Sequence, residues 1–212
     1  MSDPKALYYA KRGQLLVKHL QQRHFDACYC ENRQEALAKA LEWIPEGALV
    51  SWGGAMSAEQ IGLMDALRQG DYRLIDRDLC KTPEERLQAM KDAMFADVFL
   101  SGANAMSMHG EMVNIDGTGN RLAAIAYGPG TILVIVGMNK VVDTLQDALT
   151  RARTVAAPSN QLRFGLPNPC TYTGVCADCK EDTCICNQIL ITRHCRPKGR
   201  IKFILVGEEL GL

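Results

Sequence analysis

The chain has 212 residues, of which 47% are hydrophobic and 23% charged, a composition that excludes a wholly disordered protein. Its 24 Lys and Arg balance 24 Asp and Glu, so no global basic field is available for nucleic acid. No apolar run approaches the roughly 20 residues of a membrane span, and residues 1–24 are charged and helical in pattern without the apolar core of a signal peptide. These features predict a cytoplasmic protein, neither nucleic-acid-binding nor membrane-bound, with a single domain over residues 1–212.

In chain order, Leu7, Tyr8, Leu15, Leu16 and Leu20 recur at near-helical spacing and predict a helix over 5–23. Residues 25–30 suit a short strand. Asn32, with Glu35 three residues on, predicts an N-capped helix over 32–44, followed by a Pro45-Glu46-Gly47 turn. Residues 48–52 are a short apolar run, a buried strand ended by Gly53 and Gly54. Ser57 with Gln60 suggests a capping box opening a helix through Ile61, Met64 and Leu67 that stops near Gly70. Residues 73–76 form a weak strand. Thr82, Pro83 and Glu85 start a third helix with Leu87, Met90 and Met94 on its inner face, and 98–101 is the next strand.

Residues 102–121 are rich in Gly, Asn and Met, with a strand expected at 111–115 and a helix at 122–127. The best strand is 131–136, apolar from 132 onward and therefore expected at the centre of the sheet. A helix over 141–155 follows. Pro158, Pro167 and Pro169 then punctuate a loop, so that 158–188 is expected to be a Pro- and Cys-rich metal-binding insertion. Residues 189–192 and 201–206 are two more strands, forming either a hairpin or the end of the main sheet. The alternation predicts an α/β fold: a mostly parallel open sheet with helices on both faces and a Cys-rich C-terminal loop.

Nine cysteines are the compositional anomaly. Cys28, Cys30, Cys80 and Cys195 are scattered, whereas Cys170, Cys176, Cys179, Cys184 and Cys186 share one short stretch. An odd total without a secretion signal argues against a disulfide framework. Short loops let thiolates converge on one soft cation, so four of the five are expected to ligate a metal. Zinc and an iron–sulfur cluster both take four cysteines, and the spacing departs from the ferredoxin Cys-x2-Cys-x2-Cys run. Small buried reduced cysteines are the alternative.

Two further segments suit an anion. Ser51-Trp52-Gly53-Gly54-Ala55-Met56-Ser57 lies between a strand and a helix, where free N–H groups gather. It lacks the dinucleotide fingerprint. In the second, Asn104, His109 and the run Asn114-Ile115-Asp116-Gly117-Thr118-Gly119-Asn120-Arg121 fall in loops expected at strand ends, where open α/β sheets bind ligands. Asp116 can act as a base or bind a hydroxyl, and Arg121 can bind a carboxylate or phosphate. A capped turn and an Asp-Gly hairpin turn are the plainer readings of the two segments.

The runs Val50-Ser-Trp-Gly-Gly-Ala-Met-Ser-Ala-Glu-Gln-Ile-Gly62, Gly102-Ala-Asn-Ala105, Val113-Asn-Ile-Asp-Gly-Thr-Gly-Asn-Arg121 and Val136-Gly-Met-Asn-Lys140 together resemble the lactate-utilisation (LUD) domain family. The likeness covers about residues 5–155 and continues through the cysteine segment to 199–207. It implies the fold shared by ribose-5-phosphate isomerase, glucosamine-6-phosphate deaminase and CoA transferases. It also implies a part in oxidising L-lactate or another 2-hydroxy acid to the 2-oxo acid, beside an iron–sulfur redox subunit. The chain departs from the large subunit of that system in lacking paired ferredoxin-like motifs.

The combined expectation is a pocket for a small anionic molecule. Gly53, Gly54 and Ser57 form one wall, with Glu59 in the first helical turn beside them. Asn104, Asn114, Gly117, Gly119, Asn120 and Arg121 line the other, and Lys140 adds a cation. Asp116 and Glu59 are the candidate catalytic carboxylates. Two other functions remain open: an isomerase- or transferase-like enzyme on a phosphorylated or CoA-linked molecule with structural zinc, and a non-catalytic ligand-binding assembly module.

Overall fold

The computed structural model describes residues 3–212; Met1 and Ser2, the first residues of the predicted charged start, lie outside them. From the N-terminus run α1 (Pro4–Gln22), β1 (Asp26–Cys30), α2 (Arg33–Trp43), β2 (Leu49–Gly53), α3 (Met56–Gln60), α4 (Leu63–Gln69), β3 (Arg73–Ile75), α5 (Pro83–Asp92) and β4 (Val98–Ser101). Then come β5 (Ala105–Ser107), β6 (Met112–Asp116), α6 (Asn120–Ala126), β7 (Thr131–Gly137), β8 (Val141–Val142) and α7 (Leu145–Arg151). The chain closes with α8 (Ala157–Phe164), α9 (Pro169–Thr173), β9 (Gln188–Thr192) and β10 (Ile201–Val206).

Six strands form a parallel sheet in the order β1-β10-β7-β4-β2-β3. The run at 131–136 therefore lies inside the sheet, as its unbroken apolar character requires. Alternation divides its side chains between two cores. Ile132, Val134 and Val136 pack with Phe99, Phe203 and with Leu16 and Leu20 of α1. Leu133 and Ile135 pack on the other face with Ala36 and Ala40 of α2 and Leu63 and Leu67 of α4. A second, mixed sheet has the order β8-β5-β6-β9. The two C-terminal strands are thus not a hairpin: β10 enters the main sheet and β9 ends the second one. No helix among the described residues is long and apolar enough to cross a membrane.

Two predicted caps form as expected. Asn32 Oδ1 accepts from Glu35 N at 3.0 Å, and Thr82 with Glu85 makes a reciprocal capping box behind Pro83. The Ser57 cap does not form. Ala55 occupies that position, Ser57 is buried inside α3, and left-handed Gly62 (φ 81°) splits the expected long helix into α3 and α4. The predicted inner face of α5 is also absent, since none of its residues is buried: Leu87 is 52% exposed, and of the three expected residues only Met94, beyond the helix, packs against the core. The predicted helix at 141–155 begins later, because Val141–Val142 pairs with β5, and it continues through a π-helical stretch at Ala152–Ala156 into α8. Pro158 consequently lies in the first turn of a helix rather than in a loop.

Replacing Val134, fully buried on the central strand, with Asp strands a charge between strand and helix. Val134→Asp is expected to lower unfolding free energy by more than about 4 kcal/mol. Urea unfolding of parent and variant measures the difference.

Candidate functional site

The carboxyl ends of β7, β4, β2 and β3 open into a cavity of about 620 Å³, and loops after each strand supply its lining. Gly54, Met56 and Glu59 follow β2, Ala103 and Asn104 follow β4, Arg77 and Asp78 follow β3, and Lys140 follows β7. The second sheet closes the opposite side: β6 brings Ile115 and Asp116, and the turn after it brings Gly117, Thr118, Asn120 and Arg121. Six basic side chains (Arg68, Arg77, Arg86, Arg121, Lys140 and Arg163) face three carboxylate side chains (Glu59, Asp78 and Asp116). The local excess of positive charge suits an anion.

The expected residues divide by position. Gly54, Glu59, Asn104, Asp116, Gly117, Asn120, Arg121 and Lys140 line the cavity, whereas Gly53, Ser57, Asn114 and Gly119 stand behind it. Asn114 is fully buried; its Nδ2 donates to Gly102 O, and its Oδ1 has no partner among the described residues. Ser57 Oγ accepts from Lys140 Nζ at 3.2 Å. His109 lies outside the cavity lining, near His19 and the Arg23–Glu111 ion pair.

Arg121 is mostly directed inward. Its Nη2 donates to Asn104 Oδ1 at 3.2 Å and to Ile115 O, and its Nε is 3.8 Å from Asp116 Oδ2. A Cβ on Gly54 would come within 3.0 Å of Arg121 Nη1, and one on Gly53 within 2.8 Å of the Phe99 ring. These two glycines make room for the chain's own side chains. Asp116 is similarly engaged. Oδ1 accepts from Gly117 N at 2.9 Å and Oδ2 from Arg121 N at 3.2 Å, which pins the turn into α6. Glu59 is exposed, and its carboxylate has no hydrogen-bond or ion-pair partner among the described residues.

Four cations in the lining escaped sequence reasoning: Arg68, which Asp65 and Asp76 pair, and Arg77, Arg86 and Arg163. They come from α4, a loop, α5 and α8, so no local motif unites them. The usable signal was Asp76-Arg77-Asp78, a charged run immediately after a strand, where loops bind ligands.

A second cavity, about 430 Å³, is lined by all five clustered cysteines: Cys170, Cys176, Cys179, Cys184 and Cys186. They are free thiols. Burial and neighbouring thiols raise Cys170 and push Cys186 up to about 12. Asn168, itself buried, directs Nδ2 to Cys179 Sγ at 3.9 Å. Among the described residues, no three Cys, His, Asp or Glu side chains close on one point as a metal cage. In kind the thiols are soft-metal donors and they share one cavity, but as placed they do not converge. Ile115, Ala157 and Ile185 line both cavities and form the wall between them.

These features define an open α/β sheet protein with a cation-lined cavity at its strand ends and a cysteine-lined cavity beside it. The chain matches the LUD domain family over residues 13–206, and it belongs to that family. Its fold is similar to a crystal structure of a DUF162 family protein from Deinococcus radiodurans. The TM-score is 0.53 at 11% identity, over 93% of this chain and 97% of that one. None of the curated proteins compared matches the chain.

Burial and the nearby Arg151 and Arg121 lower the Lys140 amine to about 7. No carboxylate pairs with it among the described residues. An anion bound there favours the ammonium form, so affinity for a small carboxylate is expected to fall as pH rises from about 6 to about 9, with proton uptake on binding. Stability of the free chain runs the opposite way. The unfolded lysine keeps its proton up to its usual value of 10.5, so the burial cost, complete below about 7, is relieved between about 7 and 10.5. Calorimetric titrations in buffers of different ionisation enthalpy test this, and Lys140→Met should flatten the profile.

Proposed function

We propose that this LUD-family chain is a cytoplasmic component of 2-hydroxy-acid utilisation, lactate being the simplest substrate. It binds the acid in the cation-lined cavity and works with a cysteine-ligated metal centre in the adjoining one. The observation that carries the reading is the shared wall: a cation-lined cavity and a five-thiol cavity are separated by Ile115, Ala157 and Ile185. Oxidation to the 2-oxo acid breaks the hydroxyl O–H and the α C–H, forms C=O and releases two electrons and two protons. An iron–sulfur redox subunit is the proposed electron acceptor.

Four of Cys170, Cys176, Cys179, Cys184 and Cys186 would hold the centre. When bound as an iron–sulfur cluster, it would supply one-electron transfer between the substrate cavity and that subunit. The chain's own residues do the rest. Lys140 and Arg121 hold the carboxylate. Both oxygens of Asp116 are committed to its turn, which leaves Glu59 as the carboxylate free to take the hydroxyl proton.

A second reading is favoured by size. A cavity of about 620 Å³ with six cations exceeds what lactate fills. This supports an isomerase- or transferase-like reaction on a phosphorylated or CoA-linked molecule, with zinc as a structural ion on the cysteines.

Anaerobic purification separates the two. The first reading expects a visible absorption band that bleaches with dithionite and is lost in Cys179→Ser, together with a melting temperature raised by L-lactate or another 2-hydroxy acid. Colourless protein carrying one zinc per chain favours the second reading. Absence of both metals with all five thiols freely titratable rejects a metal centre altogether.

A further inference from the structure

The cavity's positive charge is not gathered at one point. Lys140 has Arg121 and Arg151 as its charged neighbours, whereas Arg77 has Arg86 and Arg163, with Asp78 and Asp116. Arg121, which is close to Asp116 and to Arg77, lies between the two groups. Each group has its own deficit of negative charge.

At the outer group, Arg77 is the informative residue. Its side chain is only 17% exposed, its Nε is buried without a hydrogen-bond partner among the described residues, and its ion-pair contact with Asp78 Oδ1 is long, at 4.0 Å. A buried, unpartnered guanidinium nitrogen is costly unless something else satisfies it. Asp78 cannot do so alone. Its Oδ1 is shared with Arg86 at 3.5 Å, and its Oδ2 accepts from Trp52 Nε1 at 2.9 Å. Arg86 Nη1 donates to Arg77 O at 2.9 Å, fixing the loop that carries Arg77. Arg163, whose Nε is steadied by Asn160 Oδ1 at 3.1 Å, approaches from α8. Arg68, by contrast, is satisfied by Asp76 and Asp65.

We infer that Arg77, Arg86 and Arg163 form a second anion subsite that takes a phosphate group, so that the cavity's ligand is a phosphorylated 2-hydroxy acid: carboxylate toward Lys140 and Arg121, phosphate toward the three arginines. Planar guanidinium donors arriving from three elements match the tetrahedral array of phosphate oxygens, and a dianion offsets the charge that one carboxylate leaves uncompensated. The 2-hydroxy-acid half of this inference rests on the proposed function; the phosphate half rests on the arginines alone.

Isothermal titration of the anaerobically purified chain tests it with three probes: L-lactate, inorganic phosphate and 3-phosphoglycerate, which carries a carboxylate, a 2-hydroxyl and a phosphate. Arg77→Met and Arg163→Met should each weaken phosphate binding by about tenfold or more while leaving lactate within about twofold. 3-Phosphoglycerate should bind the parent at least about tenfold more tightly than either smaller probe, since one molecule then engages both ends. The surface variant Arg163→Met keeps the test valid if Arg77→Met fails to fold. Phosphate affinity unchanged in Arg163→Met and in any folded Arg77→Met overturns the subsite. A 3-phosphoglycerate affinity no greater than that for phosphate overturns the bridging ligand. Arginine-dependent phosphate binding without any response to lactate upholds the subsite and removes the 2-hydroxy-acid reading instead.

Discussion

A buried guanidinium at the seam between the two sheets is the constraint on which the site depends. Arg121 reaches Asn104 after β4 and Ile115 on β6, and it lies beside Asp116 and against the backbone of Gly54. Burial disfavours its charge, while Asp116 restores part of the balance. Its neighbours follow from that position. Glycine suits the residue after β2, because the backbone there is left-handed (φ 59°) and a Cβ would crowd the guanidinium at 3.0 Å. Asp116 is the nearest counter-charge and also the anchor of the turn into α6. Lys140, the next cation along the cavity, loses affinity for a proton first to its own burial and then to Arg151 and Arg121.

The same turn fastens the cysteine segment to the cation-lined cavity. β9 pairs with β6 from Asp116 opposite Gln188 to Met112 opposite Thr192. Asn187 N donates to Asp116 O at 3.1 Å, and Asn187 Nδ2 to Gly117 O at 3.1 Å. A Cβ on Gly117 would crowd Ile185, and one on Gly119 would overlap the Gln188 side chain. Gly-Thr-Gly is thus a packing surface for the chain's own cysteine segment as much as a loop open to ligand. Whatever orders the thiols therefore also sets the position of Ile185, and with it one wall of the cation-lined cavity.

Much of the main sheet was legible because its signals are local. The apolar run at 132–136 determines a buried central strand, and Asn32 and Thr82 cap the helices they precede. The misreadings share a physical cause, a partner distant in sequence. Val141–Val142 continues a helical pattern by composition, yet β5 takes it as a strand. Ser57 looks like a cap until Lys140, 83 residues away, claims its hydroxyl. The cysteine cluster and the segment from Asn114 to Arg121 stood out by type and spacing, and most of the chosen polar residues do reach the cavity. Arg77 had only the charged run after β3 to mark it, and Arg86 and Arg163 had nothing, since tertiary folding alone brings the three together.

The polar character of α5 follows from what it carries. A helix with no buried residue gains little from packing, and its capping box with Pro83 supplies local stability instead. Arg86 ties it to the Arg77 loop through a carbonyl, and Met90 turns toward the cavity rather than the core. Holding like charges together costs stability at this rim, whereas the two hydrophobic cores on either face of the sheet do not depend on it. The rim is therefore the part of the structure whose stability an anion can change. A ligand that neutralised the arginines would relieve the repulsion between α5, α8 and the Arg77 loop, and so would stabilise the rim by its own binding free energy.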